Sequence, residues 1–395
     1  MPSSPLTKQS SLRFSLIGGA LMALGPLSID MYLPAFASIA EDLNARPAAI
    51  QLSLAIFFAG ITIGQLLYGP VSDRFGRKPP LIFGLILFIL STAACLFIHN
   101  AGALVVLRLF QAIGASAGLV ISQVLVKDAF EPQRVGRVLS GLMIVMGIAP
   151  IIAPMMGGFV LAVASWRLIF VCLSMLGLFV LLAVIFILPE TAKPNPDIRF
   201  SRVFHVYFNL LKDPYFLRIS LSRNLANAGM FAYITAAPFI FIKLLGISTQ
   251  NFGWVFGANA LAIMLGSVLN GRWLKRHAME RLLSMATVGI LGSGVLVVIS
   301  GFLPLNTFVI LVPLALFMFT LGVIMPNSTA LALAEQKAHT GSASALLGSM
   351  QFAIACLVSG AVSAASNGNV HAMTIGIGVC ALLSFASYFF KRQQQ

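Results

Sequence analysis

Polar positions along the chain gather into short clusters, and the stretches between them are almost wholly apolar. The apolar stretches fall near 14–36, 48–69, 80–99, 102–126, 138–162, 167–188, 216–242, 249–271, 282–303, 306–333, 342–365 and 370–390. Each has roughly the 20 residues that a helix needs to cross a bilayer. None shows the short alternating segments of a membrane β-barrel, and a helix satisfies its own backbone in lipid. The pattern predicts an all-α membrane protein with twelve transmembrane helices.

Composition agrees. The chain is 59% hydrophobic and 9% charged, with a mean hydropathy of +0.96. A soluble domain carries about 25% charged residues, so soluble, disordered and fibrous readings fail for want of solvating charge. The net charge of +14 invites a nucleic-acid partner, but placement argues otherwise. With twelve spans, 20 of the 25 Lys and Arg residues fall on the side that holds both termini. Only Arg46, Arg167 and Lys243 fall opposite, while Arg108 and Arg223 lie within apolar stretches. Basic loops mark the cytoplasmic side. Both termini are therefore expected in the cytoplasm, and no nucleic acid is expected as a partner. Cys95, Cys172, Cys356 and Cys380 all lie in apolar runs without a CxxC pair, which suggests neither disulfides nor zinc. The first apolar stretch contains Asp30 and Pro34 and lacks a small-residue cleavage site, so it reads as a membrane helix rather than a cleaved leader.

The longest polar stretch, with Pro189, Pro194, Pro196 and Pro214, separates the sixth span from the seventh. It divides the chain into a six-helix half over 1–188, a cytoplasmic linker over 189–214 and a second six-helix half over 215–395. A weak repeat at an offset of 202 residues aligns Gly69 with Gly271 and Arg74 with Arg276, though Asp73 meets Lys275 and Gly76 meets Ala278. Parallel halves of this kind place a substrate near the bilayer midplane at their interface.

Four segments carry chemistry. Gly69 to Pro79 reads GPVSDRFGRKP, between spans two and three. Gly69 would permit close helix approach and Gly76 a positive φ, Asp73 would cap or face a helix end, and Arg74, Arg77 and Lys78 suit anionic headgroups or a carboxylate. The bland alternative is a basic loop placed by topology alone. Span four carries RLFQAIG from Arg108 to Gly114. An arginine inside a span faces a cavity or a partner, or else snorkels to the interface. Span five carries GIAPIIAPMMGG, whose Pro150 and Pro154 bend a helix and whose Gly157 and Gly158 allow tight packing. Span one carries PLSIDMYLPAF, and its Asp30 is the one acidic residue inside any apolar stretch. It lies about 22 Å along that span at 1.5 Å per residue. A carboxyl group withdrawn from water favours its neutral form, which suits reversible protonation; solvation at the outer interface is the alternative.

Together these segments resemble the major facilitator superfamily, and within it the Bcr/CflA drug:proton antiporters of bicyclomycin and chloramphenicol resistance. Gly69–Pro79 is similar to the family's G-x-x-x-D-R-x-G-R-K loop at every fixed position. The span-four segment resembles R-x-x-Q-G-x-G with Ala112 in place of the first glycine, and the span-five segment resembles the antiporter motif with Ala153 before Pro154. In the second half, Ala228 to Phe239 of span seven resembles the family, while Arg223 departs from the small or neutral residue expected there.

The resemblance implies a multidrug exporter of the bacterial inner membrane that exchanges amphipathic drugs or metabolites for protons. Asp30 would alternate between proton and substrate, and Arg108 would tune Asp30 or bind substrate. Asp73, Arg74, Arg77 and Lys78 would form a cytoplasmic latch with Asp128 and Arg134. Candidate cavity residues are Tyr32, Phe36, Phe57, Gln123, Asn227, Met230, Phe231, Tyr233 and Asn259, because promiscuous sites favour aromatics and methionine. No Walker loop, nucleophile triad or metal cluster appears, so neither enzyme activity nor a cofactor is expected. A monomer is expected. The rival readings are a transporter dedicated to one solute, such as an amino acid or sugar, and a membrane sensor or scaffold.

The charge asymmetry makes one direct prediction. A phosphatase fused after Lys391 stays inactive and one fused after Gly102 is active; the reverse pattern would overturn the orientation.

Overall fold

Prolines and short polar side chains start the helices. Pro47 and Pro214 open their helices where no N–H is needed. Asn100, Asp213, Ser248 and Asn306 each accept a backbone N–H of the following first turn. The structure, a computed structural model, describes residues 8–130, 132–192, 194–196, 200–336 and 339–389. Its helices are α1 (Lys8–Asp30), α2 (Phe36–Asp42), α3 (Pro47–Phe75), α4 (Lys78–Ala94), α5 (Ala101–Ala129), α6 (Pro132–Val163) and α7 (Arg167–Phe186). After these come α8 (Phe200–Lys212), α9 (Pro214–Ala237), α10 (Thr249–Trp273), α11 (Met279–Ser300), α12 (Thr307–Ala334), α13 (Thr340–Ala364) and α14 (His371–Phe389). Twelve helical segments among the described residues are long and apolar enough to span a membrane, with α1 and α2 combined into one. Their outward faces carry exposed Phe83, Leu90, Phe159, Phe179, Phe186 and Phe308, the surface expected of a chain whose solvent is lipid.

The polar stretch after α7 holds an element that the hydropathy pattern does not announce. α8 is a 13-residue helix, too short to span. It buries Val203, Val206, Tyr207 and Leu210 against the protein, in part on α13 and α9.

In chain order the helices form two groups, α1 to α7 and α9 to α14. Small residues set the crossings. A Cβ on Gly118 of α5 would strike the Leu21 carbonyl of α1, and one on Gly322 of α12 would strike the Ile263 carbonyl of α10. Ser267 Oγ donates to the Gly322 carbonyl at 2.9 Å, a bond that this close approach permits. Gly69 behaves otherwise: a Cβ there would meet nothing within 4 Å. The close helix approach expected at Gly69 is absent, because the end of α3 turns that face into open space.

The two groups meet chiefly through α3 with α13 and α6 with α10. At the end of the molecule holding Asp42, Ser363 Oγ donates to the Ala48 carbonyl at 2.6 Å. Gly158 of α6 abuts the Thr249 carbonyl of α10 there, and α2 touches the segment Pro238–Leu244 that continues α9.

Gly322→Val should lower the thermal midpoint of the purified protein, since overpacking a close crossing costs about 1–3 kcal/mol. Gly69→Ala, which adds a methyl group to open space, should melt no lower than wild type. Equal midpoints for all three proteins would remove the crossing from the account.

Candidate functional site

Span one is interrupted at its functional residue. α1 ends at Asp30, Met31 and Tyr32 form a turn, and a 3₁₀ turn over Leu33–Ala35 leads into α2. Pro34 has no N–H to give to the carbonyl four residues back, which is that of Asp30. The Asp30 side chain is 4% exposed. No hydrogen bond or ion pair reaches its carboxyl group among the described residues. Around the break stand residues of both groups: Gly157 of α6 lies against the Met31 carbonyl, and the 3₁₀ turn touches α6 and α10. Tyr233 of α9 is within electrostatic reach of Asp30. The Tyr233 hydroxyl accepts from Asn259 Nδ2 at 3.1 Å, and Asn259 Oδ1 is buried without a partner.

Arg108 is fully buried, so it does not snorkel. Its guanidinium lies over the rings of Tyr32 at 4.4 Å and Phe57 at 4.2 Å. Nη1 donates to Gln111 Oε1 at 2.6 Å, and Gln111 Nε2 donates to Thr92 Oγ1 at 2.9 Å. Nε and Nη2 have no partner. Among the described residues no ion pair joins Arg108 to Asp30. Two ring faces, rather than a carboxylate, offset the buried cation. Tyr32 is held in turn by Ser53, hydroxyl to hydroxyl at 2.7 Å.

The other candidates separate by place. Phe36 packs edge-on against Tyr32 and lines a cavity of about 540 Å³ with Glu41, Gln51, Phe239 and Lys243. Phe231 joins Phe58 and Phe352 in an aromatic cluster spanning the two helix groups, with centroids 4.6 and 5.6 Å from it. Asn227 donates to Met325 Sδ at 3.5 Å and leaves its own Oδ1 buried and unpaired. Met230 and Gln123 are half-buried. Pro150 and Pro154 lie within an unbroken α6, and Gly157 and Gly158 make the close approaches to the Met31 and Thr249 carbonyls described above.

The loop between α3 and α4 is organised by carboxylates. Arg77 pairs through Nη1 with Asp73, and its Nε donates to Asp128 Oδ2 at 2.8 Å. Gly76 adopts φ +87°, as the motif requires. Glu190, just beyond α7, completes the loop and was not foreseen as a member. Its carboxylate accepts the backbone N–H groups of Arg77 at 2.8 Å and Lys78 at 2.9 Å, together with those of Thr191 and Ala192. Lys78 Nζ reaches the Ile185 carbonyl, and Arg74 lies 5.4 Å from the ring of Phe200 on α8. The Arg134 side chain lies outside the described residues.

This combination of a twelve-helix bundle, a break at a buried carboxyl group and a carboxylate-tied basic loop defines a membrane transporter. The chain belongs to the Major Facilitator Superfamily, whose family model matches residues 18–360. It is 38% identical to the MFS-type transporter YdgK of Bacillus subtilis, covering 89% of each chain. It is 31% identical to the bicyclomycin resistance protein homolog of Haemophilus influenzae, covering 97% of each. A crystal structure of a D-xylose-proton symporter shares the fold at a TM-score of 0.72 and 17% identity, over 97% of this chain and 98% of that one. The protein is thus a multi-pass transporter of the bacterial inner membrane that handles small molecules, and not an enzyme.

Burial acts upward on the Glu190 carboxyl group, but the N–H groups of Lys78, Arg77, Ala192 and Thr191 outweigh it and hold the group below its ordinary 4.5. A lowered folded value means that this stabilisation is complete above the unfolded value and is lost as pH falls through the folded one. Glu190→Gln should therefore melt lower than wild type at neutral pH, and the gap should close as the buffer is acidified below the group's ordinary 4.5. A gap that stays constant would show that the charge of Glu190 is immaterial.

Proposed function

We propose that the protein exports amphipathic drugs or metabolites in exchange for protons, with Asp30 as the coupling group. The observation that carries this reading is a single carboxyl group, 4% exposed, at a helix break where both helix groups meet. Such a group can bind a proton on one side and release it on the other as the groups rock. The 31% identity to a relative named for bicyclomycin resistance supports a drug as cargo. Aromatic walls at Phe58, Phe231 and Phe352 suit apolar bodies of varied shape. The driving force suffices: one charge moving through 100 mV yields about 2.3 kcal/mol.

In this reading residues 1–188 and 215–395 are the moving halves and the protein works as a monomer. The Arg77 end faces the cytoplasm, where Asp73, Arg77, Asp128 and Glu190 bind the first half together, and from there this loop serves as the latch that holds the two halves closed. Arg108 acts as a positioning residue: its stack fixes Tyr32, two residues beyond Asp30, and so fixes the break.

In liposomes, Asp30→Asn should keep the fold, since a neutral isostere removes a costly charge, yet abolish uphill transport of a dye driven by a pH gradient. Arg108→Lys keeps the charge and loses the planar stack. It should slow transport by about tenfold while leaving the pH profile in place. Uphill transport by Asp30→Asn would sink the coupling role, and a shifted profile in Arg108→Lys would restore a direct link to Asp30. A pH gradient that drives one solute, and no drug, would favour the dedicated transporter.

A further inference from the structure

Arg223 is another buried guanidinium, and nothing in the proton-coupling account uses it. It is 8% exposed and lies nine residues into α9 from the Arg77 end. Its fork is only partly used: Nε donates to Thr329 Oγ1 at 3.1 Å and Nη1 to Asn224 Oδ1 at 2.6 Å. Both acceptors are neutral, and Nη2 is left uncommitted. Among the described residues it forms no ion pair and lies over no ring, and no charged neighbour acts on it. The contrast with Arg108 is informative, because Arg108 has two aromatic faces against its charge and Arg223 has none. A buried cation without a counter-charge is expensive, and a bound anion would offset that cost.

The surroundings define what kind of anion. Arg223, Asn227, Met230 and Phe231 recur at i, i+4, i+7 and i+8, so they share one face of α9. One turn above the cation, Asn227 Oδ1 is a buried acceptor without a donor. Two turns above, about 12 Å along the axis, Phe231 enters the aromatic cluster with Phe58 and Phe352. The stripe therefore offers a cation, then an empty acceptor, then apolar rings. We infer that Arg223 and Asn227 form a subsite for an acidic group, so that the cargo includes amphipathic carboxylic acids whose ring or chain lies against Phe231. In such a complex the carboxylate takes the Nη2 edge of Arg223, and a hydroxyl or amide N–H of the ligand donates to Asn227 Oδ1. A charge-assisted bond of this type is stronger than one between neutral groups.

This assignment rests on the chain's being a transporter of amphipathic molecules, but its test is equilibrium binding and needs neither transport nor protons. Purified full-length protein at a fixed neutral pH is titrated with naphthoate ion and with neutral naphthamide, which share their ring system. Wild type should bind naphthoate about tenfold more tightly or better. Arg223→Gln should erase that preference and leave naphthamide binding within about threefold, while Arg223→Lys, which retains charge, keeps part of it. Arg276→Gln, which removes an exposed cation outside the spans, should leave the preference intact. A preference that survives Arg223→Gln, or that disappears with Arg276→Gln alone, would overturn the subsite, as would its absence in wild type. Should the glutamine variant not fold, full wild-type preference in Arg223→Lys counts against the fork geometry, and a clear loss counts for it. Loss of dye export in Asp30→Asn is read separately, so failure of the acid subsite and failure of drug export are distinguishable.

Discussion

Lipid offers no hydrogen bonds and no counter-charges, and nearly every feature of this molecule answers that constraint. The backbone is helical across the twelve spans, and the one sharp break among the buried charged positions of the first group coincides with Asp30, deep inside the bundle. Cations within the spans are handled in two ways. Arg108 is sandwiched between rings and tied to Gln111, whereas Arg223 rests on a hydroxyl and an amide. Glycine crossings do the remaining work, since a bilayer supplies no hydrophobic force between helices and close contact must hold them together.

The twelve spans were legible because hydropathy integrates over about 20 residues and tolerates errors at the ends. α8 was not, since a short amphipathic helix among prolines resembles loop in any such window. Within the site, the sequence marked single residues well and relations between them poorly. Asp30 stood out as an acid in an apolar stretch, and it is buried as that implies. The loop motif also announced the positive φ at Gly76. Glu190, however, lies 113 residues from Arg77, and no periodicity links a loop carboxylate to a backbone so distant. Arg108 was paired with Asp30 because an acid is the obvious partner for a base. The structure pairs it with ring faces, which composition cannot distinguish from ordinary apolar packing. At Gly69 the residue type suggested crowding, but only the direction of α3 decides what a missing Cβ would have met.

Asp30 and Arg223 divide the labour of the molecule in the proposed scheme. The acid sits at the broken span where α6 and α10 meet the chain, toward the end at which the two helix groups touch through Ser363 and Gly158. The base lies nearer the opposite end, with the aromatic cluster of Phe58, Phe231 and Phe352 between the two levels. A ligand that spans base and rings need not displace the proton from Asp30 by direct contact. Coupling could then run through the positions of the helices instead, since both residues sit on elements that move as the groups rock.

The bond between Glu190 and the backbone at Arg77 has a consequence for biogenesis. Arg77 is synthesised 113 residues before its partner, which at 5–20 residues per second amounts to roughly 6–23 seconds on the ribosome. Throughout that interval the loop has Asp73 and then Asp128 to hold it, but not the carboxylate that fixes its amide groups. It acquires its final shape only when the sixth span has been delivered to the membrane, and Asn195, which donates to the Arg74 carbonyl at 3.1 Å, follows directly. Closure of this loop thus marks completion of the first bundle before the second emerges. A truncated chain ending before residue 190 would present an unfinished basic loop to the quality-control proteases of the cell.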